Sequence, residues 1–257
     1  MEFFDTHSHY NDEKFDGDRK KIIEETFKEQ VTKFVCAGYN IKSSKQAIEL
    51  SEEYENIYAV CGISPNDVTQ NVTEDVEELE KILDNKKISA IGEIGLDYYW
   101  EKGNKELQKE LFIKQIELAN KLELPIQIHT RDAAIDTIDI LKSNPVKKKG
   151  IFHCCPLNKE LVKEALKLDF YISFAGPITF KNCKNADEII KMVPLERILI
   201  ETDSPYLSPE PNRGKRNDSR NVRYIAEKVA KVKGKTIQEI AKITYQNAEQ
   251  IFNIGGE

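Results

Sequence analysis

Phe3-Phe4-Asp5-Thr6-His7-Ser8-His9 stands near the start of the chain, and its first residues have the apolar character of a short buried β-strand. Successive side chains of a strand point to opposite faces, so two histidines separated by one residue would project from the same face. Neutral imidazole is a common ligand of metal ions. The stretch therefore predicts a buried strand that ends in two potential metal ligands.

Seven further apolar runs follow, and amphipathic segments rich in charged residues alternate with them. The predicted strands span residues 3–6, 33–37, 57–61, 88–91, 125–129, 150–152, 170–174 and 197–200. The predicted helices span residues 22–27, 76–83, 105–122, 135–141, 161–168, 189–192, 221–231 and 236–252. This alternation is typical of a parallel sheet built from βα units. Eight units in 257 residues predict an α/β protein with the (β/α)8 TIM-barrel fold, as one domain over residues 1–257.

Composition excludes several classes of protein. The formal net charge of −6 argues against nucleic-acid binding through an overall positive field, although a local basic patch remains compatible with it. The five cysteines show no Cys-x-x-Cys spacing, which favours a reducing compartment. No apolar run approaches the roughly 20 residues of a membrane span, and the first residues lack the pattern of a secretory signal. We therefore expect a cytoplasmic protein without a membrane segment or an obligate protein partner.

Polar residues capable of binding metal occur where the apolar runs stop. All four histidines of the chain are among them, together with two carboxylates: His7, His9, Glu93, His129, His153 and Asp203. The carboxyl ends of the strands in a TIM barrel share one rim, which is where such enzymes carry their active sites. A chance distribution would seldom place every histidine there. The pattern therefore predicts a metal centre on this rim.

Six ligands exceed what a single ion needs, since a catalytic zinc typically keeps three protein ligands and an open position. We therefore expect two divalent metal ions, bridged by Glu93. One ion would be bound by His7, His9 and Asp203, and the other by His129 and His153. Nitrogen and oxygen ligands without thiolates leave Zn, Mg, Mn, Ni and Co as candidates.

Six motifs, in this order, resemble the TatD family of metal-dependent deoxyribonucleases. They are Asp-Thr-His-Ser-His (5–9), Gly-Glu-Ile-Gly-Leu-Asp-Tyr (92–98), Ile-His-Thr-Arg-Asp-Ala (128–133), Ile-Ser-Phe-Ala-Gly-Pro-Ile-Thr-Phe (172–180), Glu-Thr-Asp-Ser-Pro-Tyr-Leu (201–207) and Arg-Gly-Lys-Arg-Asn (213–217). The resemblance implies a TIM barrel, two divalent ions and hydrolysis of phosphodiester bonds, often from the 3′ end of single-stranded DNA. The expected partner is therefore a DNA substrate, with RNA as an alternative.

Such a site would run two-metal hydrolysis. Asp203 is the candidate general base as well as a ligand, and Glu93 is expected to share in catalysis by bridging the ions. Asp5 and Glu201, each two residues before a predicted ligand, are expected to support the site without binding the ions.

Substrate contacts are expected from cations and aromatic rings near the rim. Arg131 follows His129 by two residues, and its guanidinium matches a phosphate. The loop after the eighth strand contains Arg213, Lys215 and Arg216, which predict a positive patch. Tyr98 belongs to an aromatic group with Tyr99 and Trp100 that would either stack exposed bases or pack the loop onto the barrel.

Two segments depart from the family pattern beside the predicted site. Ser64 stands where a histidine is common in a Gly-x-His-Pro motif, and Cys154-Cys155-Pro156 replaces the usual continuation of His-x-Phe-Ser-Gly. A smaller change is Ser219, at a position where proline is usual. No predicted ligand is lost, so the metal centre should be intact while the substrate rim is altered.

Two other functions remain open from the sequence. One is a binuclear barrel hydrolase that acts on amide, lactone or phosphotriester bonds, since such enzymes share the histidine pattern but often carry a carbamylated lysine where this chain has Glu93. The other is a protein that binds nucleic acid and has lost catalysis.

Overall fold

The computed structural model describes residues 1–100 and 105–255, and within them eight parallel strands form a nearly closed barrel. The strands are β1 (Phe3–Ser8), β2 (Val31–Ala37), β3 (Ile57–Cys61), β4 (Ile88–Asp97), β5 (Ile126–Arg131), β6 (Gly150–Phe152), β7 (Tyr171–Phe174) and β8 (Ile198–Ile200). Each strand pairs with its neighbour in sequence. The predicted TIM-barrel fold is confirmed.

Helices follow the strands in the expected order. The α-helices are α1 (Arg19–Lys28), α2 (Ile41–Glu53), α3 (Val72–Lys81), α4 (Lys105–Leu122), α5 (Ala134–Ser143), α6 (Lys159–Lys167), α7 (Ala186–Met192), α8 (Val222–Lys233) and α9 (Ile237–Phe252). In the part of the chain that the structure describes, none of them is long and apolar enough to cross a membrane.

The helix α2 was absent from the predicted set. Its sequence contains three serines, which weaken the apolar stripe that marks a helix. Its start is instead fixed by a capping box, in which the Asn40 side chain accepts a hydrogen bond from the Ser43 amide and the Ser43 hydroxyl accepts one from the Asn40 amide.

Three strands extend beyond their predicted ends toward the site. β1 continues through His7 to Ser8, β4 continues to Asp97, and β5 continues to Arg131. Their apolar runs stop earlier, whereas their backbone pairing does not. Glu93 and His129 therefore lie inside strands, which fixes their backbones more firmly than a loop would.

Barrel closure occurs at the same end. The amide of Asp203 donates to the His7 carbonyl at 2.9 Å, and the amide of His9 donates to the Ser204 carbonyl at 2.6 Å. These bonds join the end of β1 to the segment after β8. His7, His9 and Asp203, three of the predicted ligands, therefore lie on two backbone segments that are hydrogen-bonded to each other.

The interior of the barrel is filled by a buried apolar cluster to which seven of the eight strands contribute. Ile251 and Phe252 of α9 belong to the same cluster and cover the end of the barrel opposite the histidines. The strand that is missing from the cluster, β5, contributes the buried Gln127, which contacts His7. The predicted metal ligands therefore lie above a packed core at the carboxyl ends of the strands.

Candidate metal centre

Six predicted ligands meet at the carboxyl end of the barrel. They come from five regions of the chain: His7 from β1 and His9 just after it, Glu93 from β4, His129 from β5, His153 just after β6, and Asp203 after β8. Relative exposures of 0% for His7, 5% for His9, 4% for His153 and 9% for Glu93 show how far the cluster is withdrawn from bulk water.

The carboxylate of Glu93 lies between two pairs of histidines. Its Oε1 is 2.8 Å from Nδ1 of His129 and 3.2 Å from Nε2 of His153. Its Oε2 is 3.7 Å from Nε2 of both His7 and His9. Each oxygen therefore faces its own pair of imidazole nitrogens.

Asp203 joins the cluster on the side of β1. Its Oδ1 lies 3.3 Å from Nε2 of His9 and 3.7 Å from Nε2 of His7. Its backbone has a φ of 56°, in the left-handed region that aspartate tolerates better than most residues. The cluster contains three groups of three whose ligand atoms all lie within 4.8 Å of one another: His7, His9 and Glu93; Glu93, His129 and His153; and His7, His153 and Asp203.

His7 and His9 are both oriented by neutral acceptors behind them. His7 Nδ1 lies 2.7 Å from Oε1 of Gln127, whose amide nitrogen donates to the Thr6 carbonyl and so fixes which end of the amide faces His7. His9 Nδ1 donates to the Ala37 carbonyl at 2.9 Å. Because an acceptor requires a protonated nitrogen opposite it, Nδ1 carries a proton in both rings, and Nε2 is the nitrogen of each ring that faces the cluster and would bind an ion.

The other two histidines are oriented by carboxylates. His129 Nε2 lies 2.9 Å from Oδ2 of Asp97, and His153 Nδ1 lies 3.3 Å from Oε1 of Glu201. Glu201 also accepts from the amide of Cys154 at 2.6 Å. Asp97 and Gln127 were not predicted as supporting residues, whereas Glu201 lies where the sequence placed it.

Asp5 supports the backbone of the site. Its carboxylate is fully buried and accepts hydrogen bonds from the amide of Thr202 at 2.9 Å and from the amide of His7 at 3.3 Å. Burial raises the pKa of Asp5 to about 7. Asp5 therefore links the backbone that precedes Asp203 to the backbone of His7, without contacting a ligand side chain.

The pKa shifts of Glu93 and His7 favour the binding of cations by the cluster. Burial opposes ionisation of Glu93, but the neighbouring His153 and His129 hold its pKa well below the usual range of a glutamate. Burial, together with the adjacent His153 and His9, places the pKa of His7 well below its ordinary value. An ionised carboxylate beside a neutral imidazole is the donor set that divalent transition metals prefer.

Comparison with known proteins shows the family to which the chain belongs. The family model described as TatD related DNase matches residues 4–253. The chain belongs to the TatD family. It is a metal-dependent hydrolase of that family, with a cluster of His, Asp and Glu side chains able to hold metal.

Individual TatD relatives match over most of their length. The chain is 44% identical over 252 residues to the "Uncharacterized metal-dependent hydrolase YabD" of Bacillus subtilis (strain 168), covering 98% of this chain and 99% of that one. It is 41% identical over 207 residues to the "Uncharacterized metal-dependent hydrolase YcfH" of Escherichia coli (strain K12), covering 80% and 77%. The crystal structure of YJJV, a TatD homolog from Escherichia coli K12, superposes with a TM-score of 0.93 at 25% identity and covers 98% of both chains.

A cavity of about 870 Å³ lies above the six predicted ligands of this TatD protein. Arg131 and Trp100 line one side of it, and Ile178 and Leu207 line another. The Arg131 guanidinium stacks 3.7 Å from the ring centre of Tyr99 and forms no ion pair with any described residue. Arg131 is therefore close to the cluster and has no carboxylate partner there.

Tyr98 does not line this cavity. Its hydroxyl donates to Asp136 at 2.6 Å, on the outer side of the rim. Trp100, two residues later, lines the cavity and is 52% exposed. Of these two aromatic residues, Trp100 and not Tyr98 therefore lines the cavity.

One of the three predicted cations of the loop after β8 is neutralised by an ion pair. Arg216 forms a bidentate ion pair with Asp18, at 2.9 and 2.7 Å, and does not line the cavity. Arg213 and Lys215 also lie outside the cavity lining, but neither is paired with a carboxylate in the described chain. The predicted positive patch is therefore smaller than the sequence suggested, because Asp18, which is remote in sequence, neutralises the charge of Arg216.

Both departures from the TatD pattern are found at the cavity. Ser64 lines it and donates to Oδ2 of Asp67 at 2.7 Å, so its hydroxyl is held by a local carboxylate. Cys154 and Cys155 line the wall beyond His153. Burial raises the pKa of both thiols, which keeps them neutral. The altered residues therefore shape the substrate cavity and leave the histidine and carboxylate cluster complete.

Proposed function

We propose that this protein is a deoxyribonuclease that hydrolyses phosphodiester bonds of single-stranded DNA from the 3′ end, using two divalent metal ions. One observation carries the proposal: the two oxygens of Glu93 face separate pairs of histidine nitrogens. A carboxylate placed in this way suits two ions better than one.

The proposed ligands follow from these distances. His7, His9, Asp203 and Oε2 of Glu93 would hold one ion, and His129, His153 and Oε1 of Glu93 would hold the other. The second set has three protein ligands, which leaves room for water or substrate. Zn, Mg, Mn, Ni and Co all accept nitrogen and oxygen donors, so the donor set leaves the identity of the ions to experiment.

When bound at such a centre, divalent ions lower the pKa of a bound water and neutralise charge on phosphate oxygens. Asp203 is placed to accept the proton of the attacking water, because its carboxylate lies at the cavity, beside His9. Glu93 fixes the position of the His7 and His9 pair relative to the His129 and His153 pair. His129 and His153 keep their orientation through Asp97 and Glu201, so the site is organised before substrate arrives.

Substrate would be positioned by Arg131 and Trp100. Arg131 has its guanidinium stacked on Tyr99, which leaves its N–H groups to donate to a phosphate oxygen. Trp100 offers an exposed ring on which a terminal base could stack. Both residues line the cavity above the cluster.

The test is a nuclease assay on end-labelled single-stranded and double-stranded DNA and RNA, with each candidate metal added separately to metal-free protein. We expect stepwise shortening of single-stranded DNA from its 3′ end by the native chain and none by Glu93→Gln. Glu49→Gln is the matched control, since Glu49 is exposed and forms no ion pair in the described chain.

Cleavage by Glu93→Gln at the native rate would refute the proposal. Preference for RNA would change the substrate but keep the chemistry. Turnover of small lactones, amides or phosphotriesters without any cleavage of oligonucleotides would assign the site to another class of barrel hydrolase.

A further inference from the structure

The loops after β7 and β8 form one surface beside the metal cluster. The Thr179 hydroxyl accepts a hydrogen bond from the amide of Glu210 at 2.9 Å, and the Arg213 guanidinium lies 4.2 Å from the ring centre of Phe180. The backbones touch at Gly176, where an added Cβ would stand 1.8 Å from the Leu207 carbonyl oxygen. We call residues 176–185 and 206–215 the β7–β8 platform.

The platform carries cations that have no carboxylate partner. Its four basic side chains are all exposed, and none forms an ion pair with a described residue: Lys181, Lys184, Arg213 and Lys215. Lys181 and Lys184 flank Cys183, which lines the cavity above the cluster. Unpaired positive charge is thus concentrated at the edge of the active site.

Nearby acidic groups do not cancel this charge. Asp187 and Glu188 of α7 are already paired, with Lys228 at 2.5 Å and with Lys159 respectively. Glu210 is the one carboxylate within the platform. On a chain with a net charge of −6, this excess of cations is local to the mouth of the cavity.

Apolar and aromatic surface accompanies the charge. Tyr206 is 42% exposed and Leu207 is 38% exposed, and both line the cavity. Tyr206 is the one exposed ring of the platform, and the Lys14 ammonium lies 4.0 Å from its centre. Cations next to an aromatic ring are the combination with which proteins hold single strands, since the cations contact phosphates and the ring can stack a base.

We infer that the β7–β8 platform binds the phosphate backbone of single-stranded DNA upstream of the cleaved bond. Resting on the proposed function, this inference also orients the substrate. β4 and β8 lie on opposite sides of an eight-stranded barrel. Arg131, at the end of β5, is the one Lys or Arg among the described residues that line the cavity, whereas the platform places four cations just outside it. The terminal nucleotide therefore lies against Trp100, and the body of the strand crosses Lys181 and Lys184.

The experiment measures binding separately from cleavage. The metal-loaded protein is titrated into a fluorescent phosphorothioate oligothymidylate at several salt concentrations, and the salt dependence of the affinity is determined. Lys181→Ala/Lys184→Ala is compared with Lys86→Ala/Lys242→Ala. The control lysines are also exposed and form no ion pair with a described residue, and Lys86 precedes β4 at the other end of the barrel.

Loss of two phosphate contacts should reduce the slope of log affinity against log salt by about 1.4 for the platform variant. We expect no change of slope for the control. An equal change in both variants, or none in either, would overturn the inference.

The proposed function is tested in parallel by measuring cleavage of an ordinary phosphodiester oligomer. Cleavage by the native chain without any effect of the platform lysines would overturn the platform alone. Lysine-dependent binding without cleavage under any metal would support the platform and refute the nuclease.

Discussion

His129 is held between two carboxylates, with its Nε2 at 2.9 Å from Oδ2 of Asp97 and its Nδ1 at 2.8 Å from Oε1 of Glu93. The bond to Asp97 fixes a proton on Nε2, so Nδ1, the nitrogen that faces Glu93, is the one that would bind an ion. Asp97 also accepts hydrogen bonds from the amides of Tyr99 and Trp100. The same carboxylate therefore orients a metal-site histidine and the aromatic wall of the cavity.

Asp97→Asn should weaken metal binding, because an amide nitrogen in place of Oδ2 would oppose the N–H of His129. We expect a loss of about 10- to 100-fold in affinity for the ion near His129. Calorimetric titration of metal-free protein with Mn²⁺ or Zn²⁺ measures it. Asp136→Asn is the control, since Asp136 is bound to Tyr98 and Lys109 outside the cavity. Equal affinities in the native protein and Asp97→Asn would contradict the role of Asp97.

Gln127→Leu should affect both stability and metal binding. It leaves His7 Nδ1 and the Thr6 carbonyl without partners in the core, which costs about 1–3 kcal/mol in the free energy of unfolding. Denaturant unfolding of the metal-free chain measures this cost, and metal titration measures the second effect.

Gln115 provides a matched control for that experiment. It is a fully buried glutamine that bonds only the backbone of Ile63, at 2.8 and 2.9 Å. Gln115→Leu should lower stability by a similar amount and leave metal affinity as it is. If both variants bind metal equally, Gln127 does not orient His7.

Trp100→Ala should weaken binding of single-stranded DNA, since stacking of one base contributes about 1–3 kcal/mol. Tyr98→Phe should bind DNA like the native chain, because the hydroxyl that it removes bonds Asp136 outside the cavity. Anisotropy titrations with an oligonucleotide compare the two variants. A larger loss of affinity in Tyr98→Phe than in Trp100→Ala would restore the original assignment of Tyr98.

The fold and the clustering of the six predicted ligands were accessible from the sequence because both depend on local pattern. Apolar runs mark the strands, and side chains at the end of each run must meet on one rim once the barrel closes. His7 and His153 are therefore found together although they come from opposite halves of the chain.

Supporting contacts other than those of Asp5 and Glu201 could not be predicted, because their partners are remote in sequence and have no distinctive residue type. Gln127 reaches His7 across 120 residues, and Asp18 neutralises Arg216 across 198. Likewise, the direction of the Tyr98 side chain depends on Asp136, in a helix that the strand pattern does not relate to it.

The central claim is that Glu93 joins two metal ions. Anomalous diffraction from crystals of the manganese-loaded protein tests it most directly. We expect two peaks on either side of the Glu93 carboxylate, one next to His7, His9 and Asp203 and the other next to His129 and His153. A single peak at full loading, or two peaks of which one lies away from Glu93, would contradict the account.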